Sequence, residues 1–297
     1  MSLTDHADQD FPGILPFGAR LADAMDDLGP LCVGIDPHPG LLQAWGLGDD
    51  VAGLREFSAR VVEALGGRVA AVKPQSAFFE RHGSAGVAVL EETLAALRQV
   101  GTLAILDVKR GDIGSTMAGY AQAYLADGAP LAADAITVSP YLGLGSLTPA
   151  IELAQATGRG LFVLGLTSNP EGASVQHARD EQGQSVAAGV VTGVGQLNAA
   201  ARAAGTLGSL GLVVGATIGD AVRRLDLDLA AANAPLLAPG VGAQGAGAAE
   251  LEEVFGPARR QVLASTSRGV LRAGPEVSDL RQAAAQASAS AASALRG

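Results

Sequence analysis

Eight short apolar runs punctuate this chain: Leu31–Ile35, Val69–Val72, Leu103–Leu106, Ala135–Val138, Leu161–Gly165, Gly211–Val214, Pro235–Leu237 and Gln261–Ala264. Most of the intervals between them are Ala-rich with a helical hydrophobic period, as in Val51–Leu65 and Ala85–Val100. Strands that alternate with helices require a parallel sheet, because each crossover returns the chain to the same edge. Eight such units point to one closed (β/α)8 barrel, the TIM barrel, an α/β fold that commonly fills a chain of 297 residues. An open doubly wound sheet is the competing arrangement, but no G-x-G-x-x-G follows the first strand to support it. The barrel is expected over residues 21–280, with residues 1–20 as a mobile lead and 281–297, rich in Ala and Ser, as a last helix fraying into disorder.

The barrel makes a demand that the sequence can be tested against: polar residues should gather where strands end. Asp36 follows the first run, Lys73 the second, and Asp107, Lys109 and Asp112 the third. Thr167, Ser168 and Asn169 follow the fifth, the glycine-rich stretch from Pro239 to Gly247 the seventh, and Ser265 to Gly269 the eighth. Each alone has a plain structural reading: a turn at Asp36, a solvated strand end at Lys73, an ion pair or helix cap in the third loop. Placed together at one rim, they describe a site.

The third loop is the densest. Asp107 and Lys109 lie two apart, so on a strand they share a face; Asp112 stands before a helical stretch with Thr116 one turn on. The seventh and eighth loops are where such barrels usually hold phosphate. Glycines there let backbone N–H groups approach an anion, Arg268 offers a forked cation, and Gln244 offers both a donor and an acceptor. A small phosphorylated substrate is the expected ligand.

Composition limits the alternatives. A net charge of −10 without a basic run disfavours nucleic acid and anionic membrane as partners, yet a few local cations can still hold a small anion. No apolar stretch is long enough to span a bilayer, and the start, MSLTDHADQD, is acidic where a signal peptide would be basic. The single cysteine, Cys32, falls in an apolar run and is expected in the core. The four histidines show no metal-ligand spacing, and the chain reads as cytoplasmic.

Taken whole, the string from Asp107 through Lys109, Asp112 and Ile113 to Thr116 resembles the signature of the orotidine 5'-phosphate decarboxylases, and the segments VKPQ, LDVKRGDI, TSNPEG and PGVGAQG resemble their long-form bacterial branch. Matching segments run from Gly34 to Gly269. The resemblance implies loss of CO2 from orotidine 5'-phosphate to give UMP, without a cofactor or metal. It assigns Lys109, Asp107 and Asp112 to catalysis. Lys109 would stabilise charge at C6 and supply the proton that replaces CO2, and Asp107 would lie against the departing carboxylate. At about 4 Å and an effective dielectric near 20 two carboxylates repel by roughly 4 kcal/mol, which is part of what catalysis needs. The resemblance further implies a homodimer with a site shared across the interface: Asp36 and Lys73 on the ribose, Asp112 and Thr116 reaching into the partner's site, and Ile113, Pro239, Gln244, Ser267 and Arg268 among the substrate-binding residues. The loop TSNP stands where many members read SHP, which leaves the base contact open between Thr167 and Ser168. Two other readings remain: a magnesium-dependent hexulose-phosphate synthase or keto-gulonate-phosphate decarboxylase of the same barrel superfamily, and a non-catalytic phosphate-binding barrel. The polar stretch Glu171 to Gln184 is long for a strand-to-helix connection and is either a lid or a surface loop.

Overall fold

A computed structural model of the protein describes residues 15–241 and 247–296. The strands are β1 (Leu31–Ile35), β2 (Ala71–Pro74), β3 (Leu103–Arg110), β4 (Ala135–Val138), β5 (Gly160–Leu166), β6 (Leu210–Val214), β7 (Leu236–Pro239) and β8 (Val262–Thr266). All neighbours are parallel, the order is sequential, and β1 pairs with β8 through Leu31 and Ala264 to close the barrel. The expected fold is the observed one. Strand ends differ from expectation mainly at β3, which runs on through Asp107, Lys109 and Arg110 instead of stopping at Leu106.

Period-two alternation sorts each strand between two cores. Leu31, Val33, Leu106, Ile136, Leu161, Val163, Leu212 and Leu236 face outward into the layer beneath the helices. Cys32, Ala71, Ile105, Ala135, Phe162, Val213, Leu237 and Leu263 face inward and fill the barrel. The helices answer with their own period. In Val51–Leu65, Asp50 caps the first turn by accepting from the Gly53 N–H at 2.8 Å, and Leu54, Phe57, Val61, Val62 and Leu65 form the buried stripe.

Both chain ends correct the expectation. Helix Phe17–Leu28 takes in residues 17–20, which the sequence assigned to a mobile lead. Phe17, Leu21 and Met25, spaced one turn apart, enter the bottom of the barrel, where the Phe17 ring meets Phe162 edge-on at 5.9 Å. Fully burying a side chain of this size stabilises by roughly 1.5–3 kcal/mol, enough to overcome the weak helical pattern of so short a segment. At the other end, Val277–Arg296 is a continuous helix that begins before residue 281 and stays helical to 296. Its small residues permit close packing: Leu280, Ala284, Ala291 and Leu295 are buried, and Ser288 donates to the Leu28 carbonyl at 3.0 Å. No helix among the described residues is long and apolar enough to cross a membrane.

Candidate active site

The inward-facing register that is apolar low in the barrel turns polar as it climbs. Cys32 is followed by Gly34 and Asp36, Ala71 by Lys73 and Gln75, Ile105 by Asp107, Ala135 by Thr137, and Leu263 by Ser265 and Ser267. These side chains floor and wall a cavity of about 910 Å³ at the C-terminal mouth of the barrel. Gly34 is required here by space, since a Cβ at that position would overlap the Ser267 hydroxyl.

Asp107 is the centre of the floor. Its Oδ2 accepts from Lys73 Nζ at 2.9 Å and Gln75 Nε2 at 3.0 Å; its Oδ1 accepts from Lys109 Nζ at 2.5 Å and the Thr137 hydroxyl at 2.8 Å. Burial by itself would raise the carboxyl, but the two ammonium groups outweigh it and hold Asp107 well below the usual carboxylate range. Burial likewise opposes the charge on Lys73, and the Asp107 and Asp36 carboxylates more than restore it, so Lys73 is pushed above the ordinary lysine value. The two lysines are not equivalent. Both line the cavity, but Lys73 has only 8% of its side chain exposed whereas Lys109 has 48%. Cys32 lies beneath this cluster, and burial pushes its thiol up to about 12, which keeps it an uncharged core residue.

Around the rim, Asp36 keeps Oδ1 buried without a hydrogen-bond partner among the described residues. A carboxylate oxygen only accepts, so the complement it lacks is a donor such as a hydroxyl. Thr167 and Ser168 both line the cavity but differ in what they have free. The Thr167 hydroxyl donates to Asn169 Oδ1 at 2.7 Å and accepts from Gln176 Nε2 at 2.8 Å, while no partner of the Ser168 hydroxyl is found among the described residues. Pro239, Gly240, Ser267, Arg268 and Arg272 complete the wall near β7 and β8. Counting charges on the wall gives four cations (Lys73, Lys109, Arg268, Arg272) against two carboxylates (Asp36, Asp107), so the cavity suits an anion in an acidic chain.

The cavity therefore brings together Asp36, Lys73, Asp107, Lys109, Thr167, Ser168, Pro239, Ser267 and Arg268 of the residues expected from sequence. It does not include Asp112, Ile113 or Thr116. Asp112 does not cap the following helix, Gly114–Leu125, whose N-cap is Ile113; its Oδ1 accepts from the Ile113 N–H at 2.8 Å. Ile113 is 62% exposed and Thr116 is exposed one turn into the helix. Gln244 lies outside the described residues. Gln75, Thr137, His38 and Arg272 line the cavity without having been singled out by sequence. The signal for the first two was parity with an inward neighbour two residues away. The stretch after Thr167 folds into two short turns, Pro170–Gly172 and Ala173–Gln176, and Gln176 ties back to Thr167. None of the residues from Glu171 to Gln184 lines the cavity.

The profile of the orotidine 5'-phosphate decarboxylase / HUMPS family matches residues 29–283. The chain belongs to that family. An orotidine 5'-phosphate decarboxylase of Salinispora tropica is 62% identical over 281 residues, covering 95% of this chain and 99% of the relative. One of Streptomyces coelicolor is 60% identical over 269 residues, covering 91% and 94%. Among solved structures, a putative orotidine 5'-phosphate decarboxylase from Streptomyces avermitilis superposes with a TM-score of 0.91 at 58% identity, covering 99% of this chain and all of the other. The Leishmania donovani OMP decarboxylase superposes with a TM-score of 0.72 at 31% identity, covering 93% and 98%.

Proposed function

We propose that the protein decarboxylates orotidine 5'-phosphate to UMP and CO2, the last step in making UMP. The observation that carries this reading is the contrast between the two lysines on Asp107. One ammonium is almost wholly buried against the carboxylate and fixes it; the other is half-exposed at the cavity, where a substrate atom can meet it. Breaking the C6–carboxylate bond leaves an electron pair on C6 in an orbital outside the ring π system. The Lys109 ammonium lies beside that position, stabilises the pair, and donates the proton that forms the new C6–H bond. Asp107, held ionised by its two cations, opposes the substrate carboxylate before CO2 departs.

The remaining residues distribute over the rest of the nucleotide. Asp36 supplies the acceptor for a ribose hydroxyl, and Lys73 orients both carboxylates. Ser168, whose hydroxyl is free where that of Thr167 is engaged, contacts the base; Arg268 with Ser267 and the β7 loop grips the phosphate. The assay is loss of the orotate absorbance when orotidine 5'-phosphate is added in excess EDTA. Full activity supports the reading. Activity that vanishes in EDTA and returns with magnesium would instead assign the chain to metal-dependent enediolate chemistry.

The exposed Ile113, Tyr141 and Leu142 beside the mouth favour a homodimer in which Asp112 and Thr116 complete the partner's site. If so, mixing inactive Asp112→Ala and Lys109→Ala subunits creates heterodimers with one intact site each. Up to about a quarter of all sites regain function after random exchange. No recovery would place Asp112 and Lys109 in the same site from one chain.

A further inference from the structure

Lys109 has a backbone that its sequence does not explain. Its φ is +43°, the left-handed region, at a point where the register between β3 and β4 shifts between Leu106 and Arg110. A residue with a Cβ is strained there and holds the conformation only where its surroundings fix it. The consequence is visible in the side chain. On a regular strand Lys109 and Asp107 would stand in parallel, whereas the bulge turns the Lys109 ammonium back onto Asp107 Oδ1 at 2.5 Å.

One side chain touches both halves of this arrangement. The Lys109 N–H donates to Thr137 Oγ1 at 2.9 Å, and the same hydroxyl lies 2.8 Å from Asp107 Oδ1. The directions are forced by chemistry. A backbone N–H can only donate and an ionised carboxylate can only accept, so the hydroxyl must receive the first bond and give its single proton to the second. Thr137 is 1% exposed, so both partners of its hydroxyl are within the protein. Its place on β4, two residues after the inward Ala135, is fixed by the pairings Ala135↔Gly160 and Thr137↔Phe162.

We infer that Thr137 is a positioning residue for the proton-donating lysine: its hydroxyl locks the bulged backbone of Lys109 and the facing oxygen of Asp107 into one geometry. This rests on the decarboxylase reading for its effect on turnover, but the hydrogen bond itself does not. Thr137 contacts the two catalytic groups and need not contact the substrate to act. Removing the hydroxyl while keeping the shape, as in Thr137→Val, releases the Lys109 amide and leaves the ammonium free to adopt other positions over the cavity. A displacement of about 1 Å at a reacting group can cost on the order of 100-fold in rate.

The test compares the wild type with Thr137→Val, Thr137→Ser and a control, Thr93→Val, which removes another buried hydroxyl bonded only within its own helix, to the Val89 carbonyl. The expected result is a fall in kcat of about 10- to 100-fold in Thr137→Val, with the Kd for UMP changed by less than about threefold. Thr137→Ser should recover most of the loss, and Thr93→Val should turn over as the wild type does. Hydrogen exchange at the Lys109 amide gives a reading that needs neither turnover nor a folded variant: it should be protected in the wild type and, where the Val variant folds, lose protection there. Rapid exchange in the wild type, or a Val variant with wild-type kcat, overturns the inference. A wild type without decarboxylase activity sinks the substrate reading instead and leaves Thr137 to be judged by the exchange measurement.

Discussion

The two ends of the barrel are built from the same strands and solve opposite problems. At the bottom, Cys32, Ala71, Ile105, Phe162 and Leu263 close around Phe17, Leu21 and Met25, and every inward group is apolar. Two residues further along the same strands, Lys73, Asp107, Thr137 and Ser265 are buried polar groups surrounding open space. The bottom gains from excluding water. The mouth gathers charges that repay their desolvation only through one another, and among the described residues it leaves Lys109, Asp36 and the two arginines incompletely engaged. Stability should therefore be concentrated at one end and activity at the other, and substitutions can separate them.

The largest separation is expected from Lys109→Ala. On the proposed mechanism this removes the proton donor and the cation at C6 together, so turnover should fall by about 10⁴-fold or more. UMP should still bind through Arg268, and the melting temperature should hold, because Lys109 is half-exposed and Asp107 keeps Lys73. Turnover within tenfold of the wild type would remove Lys109 from its role. Next in size is the reverse case, Phe17→Ala at the bottom. Deleting a fully buried ring that packs on Phe162 should cost about 3–5 kcal/mol in urea unfolding while kcat per folded molecule is unchanged. A large loss of kcat with little loss of stability would show that the two ends are coupled. Arg268→Ala is smaller again, with kcat/KM down by roughly 100-fold through binding energy made remote from C6. Phosphite added with a phosphate-free substrate should then accelerate the wild type far more than the variant; equal acceleration would move the phosphate away from Arg268.

The sequence was most readable where one residue does one thing. The apolar runs marked the strands because alternation is imposed by the backbone, and Asp36, Lys73, Asp107 and Arg268 were placed at the mouth because charges after several strands gather on one rim of a barrel. Thr137 and Gln75 escaped because neither is charged and Thr137 sits inside a strand, where threonine is ordinary; only the left-handed turn at Lys109 shows what its hydroxyl does. The bottom plug escaped for a different reason. Phe17, Leu21 and Met25 form a single stripe in a short helix, and their partners, such as Ile105 and Phe162, are far off in the chain. The Ala/Ser helix at the end is likewise ordered by what it lies on, through contacts such as Ser288 to Leu28, and not by its own composition.

The smallest expected effect concerns how acid reaches the two ends. The inward groups at the bottom are apolar, whereas the mouth holds the buried carboxylate of Asp107. Asp107 is held below the ordinary value of 3.8 by Lys73 and Lys109 against its own burial, so in acid the unfolded chain takes up a proton that the folded chain refuses. Its contribution to stability is complete above about pH 4 and is lost as pH falls toward the depressed folded value, at a rate of up to about 1.4 kcal/mol per pH unit. Lys73 behaves as the mirror image: raised above 10.5, it contributes fully below that pH and fades only in strong alkali. Asp107→Asn removes the acid-sensitive component and, at neutral pH, strands a buried ammonium. The wild type should therefore be more stable than the variant by the same margin at pH 6 and pH 5, and the gap should narrow as urea unfolding is repeated at pH 4 and pH 3. A gap that stays constant to pH 3 would mean that Asp107 is not held ionised by its lysines, and the charged floor of the mouth would have to be redrawn.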